Sequence, residues 1–187
     1  MTNILYIHGY GSNANSSTGQ EIRKNLSPDI TVFTHSFSND YDKFDVMSDN
    51  IKQAQELIND MNINLVVASS MGGFIAMACI GVPKILINPC MLPSEQLKRR
   101  IAPEIADLEV QKYQHFEALF TPNSKERRLT FGLFSTHDEL FSYKNLFEAK
   151  YDPDYSFTMV DCHRISPESI RNELIPLINK IIRSALQ

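Results

Sequence analysis

Ser70 lies in residues 66–74 (VVASSMGGF), where β-branched residues give way to small residues and then to an apolar stretch. This order predicts a buried strand, a sharp turn and a helix. A nucleophile elbow has this arrangement, and it raises a serine hydroxyl above the end of a parallel sheet. Ala68 stands where the G-x-S-x-G pattern has its first glycine, and its methyl group is small enough for a tight turn. Ser70 is therefore a candidate nucleophile, provided that a base and backbone donors can reach its hydroxyl.

A serine nucleophile needs a histidine as base and a carboxylate that orients the histidine. The histidines that follow Ser70 in the chain are His115, His137 and His163. His163 comes shortly after the last predicted strand, residues 156–160, and before the C-terminal helix. Open α/β sheets bind their ligands at the carboxyl ends of strands, so this position favours His163 as the base.

The acid is expected after the preceding strand, which is predicted over residues 129–134 and is followed by the sequence STHDE. Asp138 in this segment is the strongest candidate, and Glu139 and Asp161 are the alternatives. The chain between Ser70 and Asp138 is long enough for two crossover connections with an insertion. The placement of an aspartate and a histidine at the ends of successive strands is what favours a Ser-Asp-His triad.

An acyl-transfer site also needs N–H donors for the oxyanion that forms during the reaction. The residue after the nucleophile supplies one donor through its backbone, which makes Met71 a candidate. The second donor is expected in the loop after the first strand, residues 6–12 (YIHGYGS), where glycines let the backbone approach a ligand closely. His8 in this loop is expected to make structural hydrogen bonds.

Six β-rich apolar runs alternate with helical patterns and predict the elements that position these residues. The predicted strands are residues 3–7, 30–34, 65–68, 84–87, 129–134 and 156–160. Runs such as LVV at residues 65–67 are continuously apolar, which indicates a parallel sheet with both faces covered. The predicted fold class is therefore α/β, with a doubly wound, mostly parallel sheet of about six strands.

Helical patterns fill the gaps between the strands. Apolar residues spaced by three and four over residues 47–61 predict an amphipathic helix. Residues 71–80 are apolar nearly all round, which predicts a helix buried against the sheet. Near the C-terminus, Pro176 interrupts an apolar stripe over residues 170–185 and predicts a kink or the start of a new helix.

Residues 88–125 contain no strand pattern, only helical pieces separated by prolines. The longest piece is helical and amphipathic, with an apolar pattern that includes Leu108, Tyr113, Phe116, Leu119 and Phe120. We interpret this stretch as a short helical cap insertion over the site, with plain packing on the sheet edge as the alternative. The length of the chain predicts that residues 1–187 form one domain.

The composition excludes some classes of partner. Lys and Arg total 18 against 22 Asp and Glu, a net charge of −4, so no basic field attracts nucleic acid. No apolar run approaches the ~18 residues of a membrane span, and the N-terminus lacks a signal-peptide pattern. The cysteines are Cys79, Cys90 and Cys162, without metal-ligand spacing. We expect a cytoplasmic protein without metal or cofactor, in which Cys90 is the cysteine nearest a pocket.

Three segments resemble the α/β-hydrolases, and more closely the small YqiA-like esterases. The segments are residues 4–12 (ILYIHGYGS), 68–74 (ASSMGGF) and 86–89 (LINP). The resemblance extends over essentially the whole chain, and it implies an α/β-hydrolase fold. It also implies roles for individual residues: Ser70 as nucleophile, Asp138 as acid, His163 as base, and the Tyr10 and Met71 N–H groups as oxyanion donors.

The expected function is that of a serine esterase, which cleaves small acyl esters through an acyl-enzyme. One alternative is an acyl-CoA thioesterase with the same triad, in which basic residues contact the coenzyme. The basic residues considered for this are Arg99, Arg100, Arg127 and Arg128. Another alternative is a non-catalytic binding protein with the α/β-hydrolase fold. A dinucleotide-binding or flavodoxin-like domain is less favoured, because no G-x-G-x-x-G follows the first strand.

Overall fold

A computed structural model describes residues 2–185, in which strands and helices alternate. The strands are β1 (Thr2–Ile7), β2 (Ile30–Thr34), β3 (Leu65–Ser69), β4 (Lys84–Ile87), β5 (Thr130–His137) and β6 (Ser156–Cys162). The helices are α1 (Ser17–Asn25), α2 (Phe44–Asp60), α3 (Met71–Ala78), α4 (Pro93–Gln96), α5 (Asp107–Leu119), α6 (Ser124–Leu129), α7 (Lys144–Lys150), α8 (Pro167–Ser169) and α9 (Ile175–Ala185). The π-helical segments Leu97–Ile101 and Ile170–Leu174 continue α4 and α8, and a 3₁₀ turn covers Pro153–Tyr155.

All six strands are parallel, and they lie in the order β2-β1-β3-β4-β5-β6. β2 lies next to β1 at one edge of the sheet, and β3 lies on the opposite side of β1, so the order of the strands reverses at β1. Ligands in such sheets bind beyond the carboxyl ends of the strands at the point where the strand order reverses. This topology confirms the predicted fold class of a doubly wound α/β sheet with a helical insertion.

Both faces of the sheet are covered by apolar side chains, as the continuous apolar runs predict. Leu5 and Ile7 of β1 belong to the cluster that contains residues of α2 and α3. Ile4 and Tyr6, the alternating residues of the same strand, belong to the cluster that contains residues of α1 and α9. Successive side chains of a strand point to opposite faces of the sheet. Alternating residues of β1 therefore pack into the two apolar clusters on opposite faces.

β5 and β6 extend beyond their predicted carboxyl ends. β5 starts at Thr130, one residue later than predicted because α6 occupies the preceding position, and it continues to His137. His137 pairs with Cys162 of β6 after an irregularity in the register. Asp138 and His163 are therefore the first residues after β5 and β6. The paired strands fix the positions of their backbones.

The insertion between β4 and β5 packs against the core through only part of its apolar surface. Tyr113, in the middle of α5, is buried, and its hydroxyl donates to the carbonyl oxygen of Tyr41 at 2.9 Å. Leu108 and Leu119 were predicted to share this face, but they are 65% and 68% exposed. They lie in the first and last turns of the helix, away from the buried tyrosine, so this part of the amphipathic pattern is wrong.

α3 is buried as predicted but ends early. Residues 71–77 are all buried, whereas the helix ends at Ala78 and Ile80 is 62% exposed. Gly81 has a φ of 81°, a left-handed conformation that glycine adopts readily. The chain turns there towards β4, so the apolar run over residues 71–80 overestimates the helix.

Pro176 lies in the first turn of α9, which begins after the π-helical segment Ile170–Leu174. α9 continues directly from that segment, so the missing N–H of Pro176 falls where the helical hydrogen-bond pattern changes from π to α. The predicted change of helix at this residue is confirmed.

The N-terminal turn of α3 lies unusually close to the end of β1. A Cβ atom at Gly72 would stand 2.4 Å from the carbonyl oxygen of His8 and 2.6 Å from that of Ile7. Both distances are far shorter than real carbon–oxygen contacts, and both atoms belong to backbone that cannot rotate away. The glycine therefore allows the helix to start directly above the ends of β1 and β3.

Gly72→Ala is expected to lower the free energy of unfolding by about 1–3 kcal/mol, because the added methyl group forces backbone segments apart. Gly81→Ala is the comparison, since nothing lies within 4 Å of its added methyl group. Its cost is limited to the positive φ, about 1–2 kcal/mol. Urea unfolding and circular dichroism measure both. A Gly72→Ala protein as stable as the wild type contradicts the close approach.

Candidate active site

Ser70 occupies the turn between β3 and α3 in a backbone conformation that is rare for a residue with a side chain. Its φ is 52° and its ψ is −121°. Such conformations cost of order 1–3 kcal/mol and persist only where the surroundings enforce them. Here the Ser70 N–H donates to the carbonyl oxygen of Ile87 at 3.0 Å, and the Ser70 carbonyl oxygen accepts from the N–H of Cys90 at 2.9 Å. The end of β4 and the residues after it therefore fix the turn.

Ser70, His163 and Asp138 form one chain of hydrogen bonds. Nε2 of His163 lies 3.0 Å from Oγ of Ser70, and Nδ1 lies 2.9 Å from Oδ2 of Asp138. A carboxylate only accepts hydrogen bonds, so the Nδ1 proton lies towards Asp138 and Nε2 is left to accept the serine proton. The structure thus brings together the three side chains that the sequence predicts as a triad.

Asp138 is held in place by backbone as well as by His163. Its Oδ1 atom accepts hydrogen bonds from the N–H groups of Leu140 at 2.9 Å and Phe141 at 3.1 Å. Burial by itself raises the pKa of this carboxyl, but the hydrogen bonds from His163, Phe141 and Leu140 outweigh burial and lower it below its usual value. The carboxylate therefore stays ionised and keeps one oxygen for the imidazole.

The two alternative acids support the backbone around His163. Oε2 of Glu139 accepts from the His163 N–H at 2.9 Å, a hydrogen bond that lowers the pKa of this carboxyl. Asp161 accepts from the N–H groups of Ser166 at 2.6 Å and Cys162 at 2.8 Å. Among residues 2–185, the hydrogen-bond partners of the His163 ring are Ser70 and Asp138.

Phe141 covers the imidazole of His163. The two ring centroids lie 4.7 Å apart at an angle of 75°, an edge-to-face arrangement. Aromatic pairs favour this geometry, because the positive edge of one ring meets the negative face of the other. The orientation of the histidine is therefore fixed by packing as well as by its two hydrogen bonds.

Asn88 is a structural residue of the site that the sequence analysis did not assign. It follows β4 with a φ of 42° and is buried. Its Oδ1 accepts from the Ser135 N–H at 2.7 Å, and its Nδ2 donates to Oγ of Ser135 and to the carbonyl oxygen of His163, both at 2.8 Å. The side chain thus ties the end of β4 to β5 and to the residue after β6. The sequence signals were a polar residue directly after a buried strand and its place in residues 86–89 (LINP), one of the segments that resemble the YqiA-like esterases.

The two predicted oxyanion donors lie beside Ser70. Met71 is the first residue of α3, where a backbone N–H has no partner inside the helix. Tyr10 follows Gly9, and a Cβ atom at Gly9 would lie 3.0 Å from Cβ of Ser70. Within residues 2–185, neither the Tyr10 nor the Met71 N–H donates a hydrogen bond to another protein atom. Both residues line the cavity at Ser70, so both N–H groups remain candidates for a ligand oxygen.

His8 makes structural hydrogen bonds, as expected. Its Nε2 accepts from the backbone N–H of Phe37 at 3.1 Å, which leaves the Nδ1 proton to donate to the carbonyl oxygen of Gly9 at 2.8 Å. Burial lowers the pKa of this histidine, so its neutral form is favoured. The residue links the loop after β1 to the segment after β2.

A cavity of about 520 Å³ opens over Ser70, a size that suits a small-molecule ligand. Part of its wall is apolar, and the residues of this part include Ile87, Ile101, Leu140, Phe141 and Ile165. Cys90 lines it too, as the sequence predicts, and burial raises the pKa of its thiol. Gln96, Arg100 and Ile101 reach the cavity from the helical insertion.

The side-chain clusters and the helices of the described part of the chain bear on metal binding and membrane insertion. Residues 2–185 contain no group of three or more His, Cys, Asp or Glu side chains arranged to hold a metal ion. Over the same residues, no helix combines the length and the apolar character needed to cross a bilayer. The absence of a cofactor stays a prediction.

Comparison with known sequences places the chain in a family. The family model described as an uncharacterised protein family, UPF0227, matches residues 3–164. The chain belongs to this family. The match confirms the resemblance to the YqiA-like proteins that the sequence segments predict. A search of curated proteins finds no match.

Solved structures confirm the fold. Est1E from Butyrivibrio proteoclasticus has a TM-score of 0.67 at 12% identity, over 97% of this chain and 88% of that one. A monoacylglycerol lipase from Paleococcus ferrophilus has a TM-score of 0.63 at 12% identity, over 98% and 94%. A thermophilic esterase from Thermogutta terrifontis has a TM-score of 0.57 at 15% identity, over 99% and 90%. At these identities the likeness establishes the α/β-hydrolase fold.

Asn88→Ala is expected to lower the free energy of unfolding by about 1–3 kcal/mol, because it leaves the Ser135 N–H and the His163 carbonyl without a buried partner. Asn172→Ala is the control, since Asn172 is exposed, and we expect it to change stability by less than about 0.5 kcal/mol. Urea unfolding measures both. Equal stability of the two variants contradicts the role given to Asn88.

Proposed function

We propose that this protein is a serine hydrolase that cleaves small acyl esters through an acyl-enzyme, with Ser70 as nucleophile. The observation that carries the proposal is the hydrogen bond of 3.0 Å between Ser70 Oγ and His163 Nε2, with Asp138 bound to the opposite ring nitrogen. This arrangement has the order nucleophile, base and orienting acid. The fold that the chain shares with esterases and a lipase is compatible with it.

The first half of the reaction forms the acyl-enzyme. Ser70 Oγ attacks the carbonyl carbon of the ester while His163 Nε2 takes the hydroxyl proton. The N–H groups of Tyr10 and Met71 bind the oxyanion of the tetrahedral intermediate, and one such donor typically contributes about 10²–10³ in turnover. When the intermediate collapses, the bond to the alcohol oxygen breaks, and His163 returns the proton to the leaving alcohol.

The second half releases the acid. A water molecule attacks the acyl carbon while His163 Nε2 takes one of its protons, and the same N–H groups bind the second oxyanion. Collapse breaks the bond to Ser70 Oγ, which recovers the proton from His163. Throughout, Asp138 keeps the imidazole in the tautomer whose Nε2 accepts a proton and stabilises the imidazolium that forms.

We also propose that residues 88–125 serve as a cap segment within one α/β-hydrolase domain. Four residues of this segment line the cavity at Ser70: Cys90, Gln96, Arg100 and Ile101. The segment is also anchored to the core, because Leu97, Ile105 and Tyr113 belong to the cluster on the α2 and α3 face. A fixed wall of the cavity fits these contacts better than a detached lid.

Cleavage of a thioester would use the same residues, so the thioesterase alternative concerns the substrate only. Of the four arginines considered for coenzyme binding, Arg100 lines the cavity. Arg127 and Arg128 lie in α6, where they donate to the carbonyl oxygens of Tyr151 and Ser124. The second alternative, a binding protein without catalysis, predicts that Ser70 is not reactive.

Fluorophosphonate labelling distinguishes catalysis from binding, because the probe reacts with activated serines. The wild-type protein is expected to label stoichiometrically and to hydrolyse p-nitrophenyl butyrate. Ser70→Ala and His163→Ala are both expected to lose labelling, with a loss of turnover on the order of 10⁴–10⁶. His137→Ala is the control, since His137 is exposed on β5 and contacts neither Ser70 nor Asp138 by a hydrogen bond. Folded wild-type protein that does not label contradicts the proposal.

Exchange of single carboxylates tests the choice of the acid. Asp138→Asn is expected to lower kcat by about 10³–10⁴, because an amide no longer favours the tautomer that accepts the serine proton. Glu139→Gln keeps an oxygen that accepts from the His163 N–H, and it is expected to lower kcat by less than about tenfold. Initial rates with p-nitrophenyl butyrate measure both. A larger loss with Glu139→Gln assigns the acid to Glu139.

A further inference from the structure

The charged side chains that line the cavity are all basic. Arg100 comes from the helical insertion, and Arg164 follows His163. No aspartate or glutamate of residues 2–185 lines the same cavity. The whole chain carries a net charge of −4, so the basic character of this cavity is local. A wall with one sign of charge raises the local concentration of ligands of the other sign.

Neither arginine is neutralised by a neighbouring carboxylate. Within residues 2–185, Arg100 and Arg164 have no carboxylate within the 4.0 Å of a salt bridge, whereas Arg171 pairs with Glu21 at 3.1 Å. Both cavity arginines are exposed, so their guanidinium groups are accessible from solvent. A guanidinium presents a planar set of donors that matches the two oxygens of a carboxylate or a phosphate.

The wall formed by α1 adds backbone donors. Ser16, Ser17 and Thr18, at the N-terminal end of this nine-residue helix, line the cavity. No acidic residue stands in its first turn, and within residues 2–185 the N–H groups of Ser17 and Thr18 donate to no protein atom. The N-terminus of a helix carries a partial positive charge, so this wall has the same sign as the arginines.

Gln96 is a further polar residue on the wall formed by the helical insertion. This residue lines the cavity and is 3% exposed, its Nε2 donates to the Tyr143 hydroxyl at 2.8 Å, and its Oε1 has no partner among the described residues. Buried polar atoms nearly always have a hydrogen-bond partner. Because Oε1 is an acceptor, an anionic group does not satisfy it, and the donors available to an anion in this cavity are the two arginines and the N–H groups at the start of α1.

We infer that the substrate carries a compact anionic group, a carboxylate or a phosphate, which Arg100 and Arg164 bind while Ser70 attacks the ester carbonyl. The inference rests on the proposed function, since it specifies the substrate of the same site. The apolar part of the wall holds the carbon chain, and the two arginines make the site selective for esters with a negative charge over neutral esters of equal length.

Matched pairs of esters test the inference and distinguish the two sources of the anion. Monomethyl adipate against methyl hexanoate places a carboxylate on the acyl side, and 2-phosphoethyl butyrate against ethyl butyrate places a phosphate on the alcohol side. Acid release is followed by pH-stat with wild type, Arg100→Gln, Arg164→Gln and the double variant. Arg99→Gln is the control, because Arg99 is exposed next to Arg100 but does not line the cavity.

At least one anionic ester is expected to have a kcat/KM roughly tenfold or more above that of its neutral partner, the size of effect that one charged hydrogen bond gives. The double variant should abolish this preference, Arg99→Gln should keep it, and added salt should reduce it by screening. Turnover of neutral esters without preference for either anion overturns this inference alone. Absence of turnover with every ester overturns the proposed function as well.

Discussion

The backbone conformation of Ser70 is the constraint on which the rest of the site depends. A φ of 52° and a ψ of −121° are unfavourable for serine, and contacts from three directions enforce them. β4 accepts the Ser70 N–H through Ile87, the following residues bind its carbonyl through Cys90, and Gly72 lets α3 begin against the end of β1. As a result, the Ser70 hydroxyl lies beyond the end of β3 beside the N–H of Met71, which donates to no protein atom among residues 2–185. The unfavourable backbone conformation of Ser70 thus lowers stability locally and fixes the position of its Oγ atom.

The sheet converts this local geometry into a site built from distant parts of the chain. Because neighbouring parallel strands end at one edge, the residues that follow β3, β5 and β6 meet there. Asn88 ties the end of β4 to β5 and to the residue after β6, because it bonds Ser135 and the carbonyl oxygen of His163, and Glu139 accepts from the N–H of the same histidine. The hydrogen bonds of the His163 ring are then free for Ser70 and Asp138. The hydrogen bonds to the backbone of His163 thus fix where its imidazole lies relative to Ser70 and Asp138.

Much of this arrangement is readable in the sequence, because the signals are local. The buried strand before Ser70, and the strands before Asp138 and His163, are apolar runs that end in polar residues. Other features depend on contacts between distant residues and leave no local pattern. The exposure of Leu119 depends on where α5 ends relative to Tyr113, and the role of Asn88 depends on which backbone groups meet it after folding. The sequence does not show that Arg164 and Arg100 line the same cavity, because the helical insertion brings them together only in the folded chain.

A crystal structure of the protein after reaction with a phosphonate ester tests the central claim most directly. The proposed arrangement predicts phosphorus bonded to Oγ of Ser70, His163 within hydrogen-bond reach of the adduct, and the phosphoryl oxygen about 3 Å from the N–H groups of Tyr10 and Met71. An adduct on another residue, or a phosphoryl oxygen that points away from both N–H groups, contradicts the account.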